Sequence, residues 1–407
     1  MLSEPLPYHV KIRDYFKRQS GIWSFFSAEG KKEEQFASFK TDLLKNSYQF
    51  QPDSDPLLYE KINIIREKLG LSHLQVTAYQ AAHSTELNAS IACLSDAAHM
   101  VFSGGVLQLL DEQELSALIA HELGHIKLYS LLNGELETSD RIITVLANSP
   151  DSEAAHYETA RLFRLYTEIY CDRVAYGVLG EAGPVISMLL KMATGLSTVH
   201  ADSYIRQAEE IFAGDAGVQS ASLTHPENFI RARALHLWQQ KNAAVETVIA
   251  QMIEGAVQLD RLDILMQKEL MEQTRALLIR YLFPEWFRTP VILALARQYF
   301  PDLDPGPDLS KDAGKVTVLP KEGVPDPVDP LKTFLADAHA SIREYFAYVL
   351  LDFALADQDL EDVPLGHALH LAETLELTAV FEPIVKKELT YSDKQWDRAK
   401  ANIPRQY

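Results

Sequence analysis

The 407-residue chain holds only two cysteines, Cys93 and Cys171, so no disulfide framework staples it. The fold must stand on buried apolar surface, and an apolar fraction of 47% supplies it. Both cysteines are read as small buried residues, with masking of a metal by one of them as the sharper alternative. Positive charge is also scarce: 38 Lys and Arg face 57 Asp and Glu, a formal net charge of −19. That balance argues against nucleic acid and anionic membrane surfaces as partners. Long clean apolar runs are missing too. The most apolar late stretch, VAYGVLGEAGPVISMLLKMATGL, is broken by Gly180, Glu181, Gly183, Pro184 and Lys191, and reads as two packed helices joined by a turn. The start, MLSEPLPYHVKIRDYFKRQ, lacks a basic segment followed by an apolar one, so no signal peptide is read and the cytoplasm is the expected location.

What is present is His121-Glu122-Leu123-Gly124-His125, an H-E-x-x-H pattern. Asp111 and Glu114 make an N-cap and capping-box pair, and Leu115, Leu118, Ile119, Leu123 and Ile126 follow at helical spacing. Histidines four apart share one helix face, where a single zinc ion can take both imidazoles. Glu122 sits about 100° around the helix from His121, within reach of a water but off the ligand position. The expected chemistry is metal-assisted hydrolysis, with Glu122 as general base. A catalytic zinc site needs a third protein ligand. A histidine six residues after His125 is excluded, because position 131 is Leu131. Glu168 and Asp172, four apart on a helix 43 residues further on, are the candidates: one carboxylate to ligate, the other to hydrogen-bond a ligand histidine.

Together HELGH, EIYCD and THPENFIR (residues 224–231) resemble the HtpX and CAAX prenyl protease-like zinc metallopeptidases, the gluzincins of peptidase family M48, over roughly residues 60–240. The resemblance implies an α+β, mostly helical fold: a zincin-type domain with a small mixed sheet and an active-site helix, plus helical extensions. It implies one zinc ion on His121, His125 and Glu168, with Glu122 as base and Asp172 orienting a ligand histidine. His225 and Arg231 match an H-P-x-x-x-x-R element beside the site. His225 is read either as steadying an oxyanion or as capping the next helix, and Arg231 chiefly as a salt-bridge partner. Residues 89–94 and 99–103 read as a hairpin with a turn at Ser95-Asp96. In such a protease the strand carrying Asn88, Ala89, Ser90 and Ile91 would pair with substrate backbone. The family includes membrane-embedded stress and quality-control proteases, but residues 126–162 are too charged to span a bilayer here.

The length predicts two or three domains. Residues 1–60 read as a helical segment with Trp23, Phe25, Phe26, Phe36 and Phe39 as anchors, packing on a catalytic domain at 61–240. Residues 241–300 continue as helices, residues 301–330 form a proline-rich linker, and 331–407 form a helical module similar to the TerB-like domain of stress proteins. That module is a candidate for protein partners. Asp357, Asp359 and Glu361 start like a calcium loop, but position 12 is Ala368 and position 6 is not glycine. His367 and His370 are read as structural rather than as a second metal site. The expected activity is a zinc metalloendopeptidase acting on extended or unfolded segments. The alternative is a latent or inactive zinc-bound chaperone-like or interaction protein.

Overall fold

The computed structural model describes residues 4–28, 33–94, 97–215, 217–303 and 329–401. They divide into two compact units, Met1–Gly255 and Ala256–Tyr407. The first runs α1 (Pro7–Lys17), α2 (Ser20–Ala28), α3 (Glu33–Asn46), β1 (Ser47–Gln49), α4 (Pro56–Lys68), β2 (Gln75–Ala81), β3 (Asn88–Leu94), β4 (Ala97–Ser103) and α5 (Val106–Leu109). It continues with α6 (Glu112–Ser130), α7 (Glu135–Ala147), α8 (Ala154–Leu179), α9 (Gly183–Thr194), α10 (Ala201–Gly214), α11 (Asn228–Gln239) and α12 (Val245–Ile253).

The fold is mostly helical with one small mixed sheet, as the sequence implied. The strand order is β1-β2-β4-β3, with β2 and β4 parallel and both end pairs antiparallel. The expected hairpin is β3 and β4, registered Asn88 to Ser103 and Ile91 to Met100; its turn at Ser95-Asp96 lies outside the described residues. β3 ends the order, so among the described residues the ladder covers only one of its edges. The N-terminal segment, read as helical, also contributes the three-residue β1, too short to display strand alternation. α1 lies on α7 and α8, with His9 buried among Phe163, Tyr166 and Tyr170. Phe36 and Phe39 fall where side chains are not described.

α6 starts on the predicted capping box. The Asp111 carboxylate accepts from the Gln113 and Glu114 amides, and Glu114 accepts from the Asp111 amide. Glu114 also pairs with Lys191 of α9 at 2.7 Å, a buried link the sequence did not announce. At its far end the chain reverses through left-handed Leu132, Asn133 and Gly134 into α7. α6 and α8 cross closely at Gly124: a Cβ there would stand 3.1 Å from the Cys171 Cα. The glycine in HELGH is therefore what lets the two helices face each other at this depth.

The second unit comprises α13 (Ile264–Tyr281), α14 (Pro290–Tyr299), α15 (Pro330–Asp337), α16 (Ala340–Leu355), α17 (Val363–Thr374), α18 (Thr378–Glu388) and α19 (Asp393–Ala401). One apolar cluster runs from Leu277 and Tyr281 through Ile292 to Phe346, Phe353 and Phe381. Helices read as an extension of the catalytic domain, α13 and α14, thus share a core with the helices after residue 330, while α12 packs in the first unit. Each amphipathic helix must cover its apolar face, and periodicity does not say against which neighbour. The linker lies outside the described residues except at its ends, where α13 holds Asp302 through Arg275 and Asp329 through Arg280. Asp357 accepts from Thr289 and the Asp359 amide, a cap rather than a calcium loop. His367 is buried against Tyr281, Trp286 and Phe287 and bonds the Tyr281 carbonyl oxygen. Among the described residues no helix is long and apolar enough to cross a membrane.

Candidate metal centre

Two pairs of side chains four residues apart face each other across the α6–α8 crossing. His121 and His125 project from α6, and Glu168 and Asp172 from α8. His121 Nε2 lies 3.3 Å from Glu168 Oε2, and His125 Nε2 lies 3.7 Å from Glu168 Oε1. The other ring nitrogen of His121, Nδ1, meets Asp172 Oδ1 at 3.0 Å. Asp172 is in turn gripped by Arg231 of α11, with Nε and Nη2 each 2.7 Å from its oxygens. Arg231 Nη2 also comes within 3.6 Å of Glu168. The residues placed together from sequence are therefore together in space, and Arg231 makes the salt bridge expected of it.

These groups are buried, which is costly unless each is compensated. Burial opposes the ionised form of Asp172, but the Arg231 guanidinium and its hydrogen bonds win and hold the carboxyl below its usual range. Glu168 likewise stays ionised against burial, held by His121, His125 and Arg231. His121 is pushed down by burial, yet the Asp172 and Glu168 carboxylates carry it up to about 10. Burial lowers His125 to about 4, leaving a neutral imidazole. Burial raises Glu122 to about 7, a value suited to taking and returning a proton near neutral pH.

Glu168 Oε2 is a buried acceptor without a well-directed hydrogen bond among the described residues. That carboxylate, approached by His121 at Oε2 and by His125 at Oε1, fits a divalent cation: two nitrogens and a carboxylate are a zinc-type donor set, and the Asp172–His121 bond fixes the ring that would ligate. His121, His125 and Cys171 also bring donor atoms within 4.8 Å of one another. Cys171 is the weaker third donor. Burial, with Glu168, Glu122 and Asp172 around it, pushes its thiol well above the ordinary range, and a sulfur ligand must be a thiolate. In addition, His121 Nδ1 is already committed to Asp172.

The centre opens into a cleft of about 660 Å³. Asn88, Ala89, Ser90 and Ile91 of β3 line it together with His121, Glu122, His125 and Glu168. His225 lines it from the loop before α11, 62% exposed, its Nε2 3.6 Å from Glu168 and its Nδ1 3.0 Å from the Thr224 hydroxyl. Met188 and Met192 of α9, Tyr129 and Asn228 also line the cleft and were not singled out from sequence. Tyr129 was within reach, because it repeats the 121–125 spacing; so was Asn228, three residues before Arg231 on one helix face. The α9 methionines carry no motif, and only the packing brings them here.

With that geometry in place, the comparisons are decisive about the domain. Residues 52–239 match the family model of Peptidase family M48. The stretch is an M48 peptidase domain. The M48 domain starts before β2 and ends at the last residue of α11, so it contains every site residue named above. One relative is the Plastoglobule-localized metallopeptidase 48, chloroplastic, of Arabidopsis thaliana, 27% identical over 159 residues. That alignment covers 35% of this chain and 45% of the relative, so the chain spans less than half the length of the relative it matches. No solved structure matches.

Proposed function

We propose that the M48 domain is a zinc-dependent metalloendopeptidase acting on extended protein segments. The observation that carries this is the convergence of His121 Nε2 and His125 Nε2 on the Glu168 carboxylate, with Glu122 on the same cleft. His121, His125 and Glu168 would hold the ion. A zinc ion there supplies Lewis-acid polarisation of a peptide carbonyl and makes water a stronger nucleophile at neutral pH.

The chain's own groups do the rest. Glu122, on the cleft beside His121 and His125, accepts the proton of the attacking water and returns it to the departing amine. Asp172 holds His121 in one tautomer and orientation, and Arg231 keeps Asp172 ionised while it does so. His225, exposed in the cleft, donates toward the oxygen that gains charge as the carbonyl is attacked. β3, paired on one edge only, offers main-chain groups to a substrate strand, which favours segments whose backbone is not already paired.

The test pairs metal content with casein cleavage for the wild type and Glu122→Gln. The expected result is one zinc per chain in both proteins and a loss of at least about 100-fold in cleavage for the variant. Unchanged cleavage by the variant would remove Glu122 from the mechanism. A zinc-free, inactive wild type at saturating zinc would remove the peptidase reading itself.

A further inference from the structure

A second cavity, about 400 Å³, lies on the other side of His125. Ile91, His125 and Tyr129 line both this cavity and the main cleft, so the two are arms of one groove that meet beside the candidate metal centre. The arms differ in chemistry. Beyond the site residues, the first is walled by Leu118, Met188, Leu189 and Met192. The second has an apolar floor of Leu71, Leu74 and Ile126, and at it stand Glu137 and Asp140, one turn apart on α7.

Asp140 accepts the Tyr129 hydroxyl, and Arg164 and Glu137 act on it from nearby. Even so, burial leaves its carboxyl above the ordinary range, so the charge it would carry is under-compensated. Arg141 also lines this arm and donates to the Phe26 carbonyl oxygen at 2.6 Å. An apolar floor ending in two carboxylates suits a long side chain with a cationic head: the methylenes lie on the leucines and the head meets the acids.

We propose that the second arm selects a lysine or arginine side chain of the substrate, with Asp140 and Glu137 as the selecting residues. This rests on the peptidase reading above. β3 runs from the first arm toward the second, since Asn88 and Ser90 line the former and Cys93 the latter. A substrate added antiparallel to β3 therefore runs from the second arm to the first. The basic residue falls on the N-terminal side of the cut bond, and a large apolar residue falls on the other.

The experiment maps the termini produced from casein by the zinc-loaded full chain. It then measures kcat/KM on paired peptides that carry lysine or the uncharged isostere norleucine at the mapped position. Expected are cuts enriched after Lys or Arg, a preference for lysine on the order of tenfold or more, and loss of that preference in Asp140→Asn with Glu137→Gln, read as the ratio of the lysine to the norleucine kcat/KM within each protein. A second readout needs no turnover: Glu122→Gln should bind the lysine peptide more tightly than its isostere by fluorescence anisotropy. Cleavage without basic enrichment, or a preference that survives the double substitution, overturns the proposal and leaves the peptidase reading standing. No cleavage by the zinc-loaded wild type, with no binding difference, overturns both.

Discussion

The two compact units bury different things. The first buries Glu114, Glu122, Arg161, Glu168, Asp172, Arg173, Lys191 and Arg231, with Glu122, Glu168, Asp172 and Arg231 gathered around one crossing of two helices. The second buries leucine, phenylalanine and tyrosine, and among its described residues the buried polar or ionisable groups are Asp263, Thr274, Asp357 and His367, each tied to a cap or a carbonyl. Buried charge is expensive, and hydrophobic side chains of similar volume would stabilise as well or better. The first core, unlike the second, bears that cost at the crossing of α6 and α8. The contrast is local: Glu168, Asp172 and Arg231 are buried against one another beside His121, whereas the buried acids described in the helical unit, Asp263 and Asp357, serve as helix caps.

The contrast breaks most sharply at two arginines. Arg231→Met strands Asp172 in the interior, and an urea titration should show a loss of about 3–5 kcal/mol in the first unit. Arg280→Met removes a bidentate pair with partly exposed Asp329 in the second unit and should cost less, about 1 kcal/mol. Equal losses would dissolve the distinction. Next in size is the pH dependence of the second unit. Burial lowers His367 from 6.5 to about 4, so the folded state binds fewer protons than the unfolded chain in that window. Stability is full above about pH 6.5 and falls as pH drops toward 4, by on the order of 2–3 kcal/mol. His367→Gln should flatten that slope, as measured by denaturation at stepped pH.

Two smaller effects refine the picture of the first unit. Asp172→Asn frees His121 from its charged partner and should weaken zinc binding about 10- to 100-fold in a competition titration with a chelator, and because it also leaves the buried Arg231 guanidinium with Glu168 alone, the same urea titration reads its stability cost separately. Gly124→Ala sets a methyl 3.1 Å from the Cys171 Cα. The helices must separate by a few tenths of an ångström, a net cost of about 1 kcal/mol, read as a small drop in melting temperature larger with zinc than without it. No zinc dependence there would mean that the crossing and the site are not coupled.

The sequence carried much of this. H-E-x-x-H, the acidic pair on a later helix and the capping box at Asp111 are local patterns. A helix of fixed pitch turns such spacings into shared faces, so the halves of the site could be written down without coordinates. The same holds for the β3–β4 hairpin and for the boundary between α8 and α9. β1 was invisible because three residues carry no period. The grouping of α13 and α14 with the later helices was invisible because an apolar stripe does not name its partner.

By itself, then, the sequence determined which residues stand together on each helix, since that follows from 3.6 residues per turn. Only the tertiary structure decided that the two faces meet, at a distance set by Gly124 against Cys171. It also decided that Arg231 would close on Asp172 from 59 residues away. Glu122 sits near 7 for the same kind of reason: burial, a property of the packed neighbours and not of the residue.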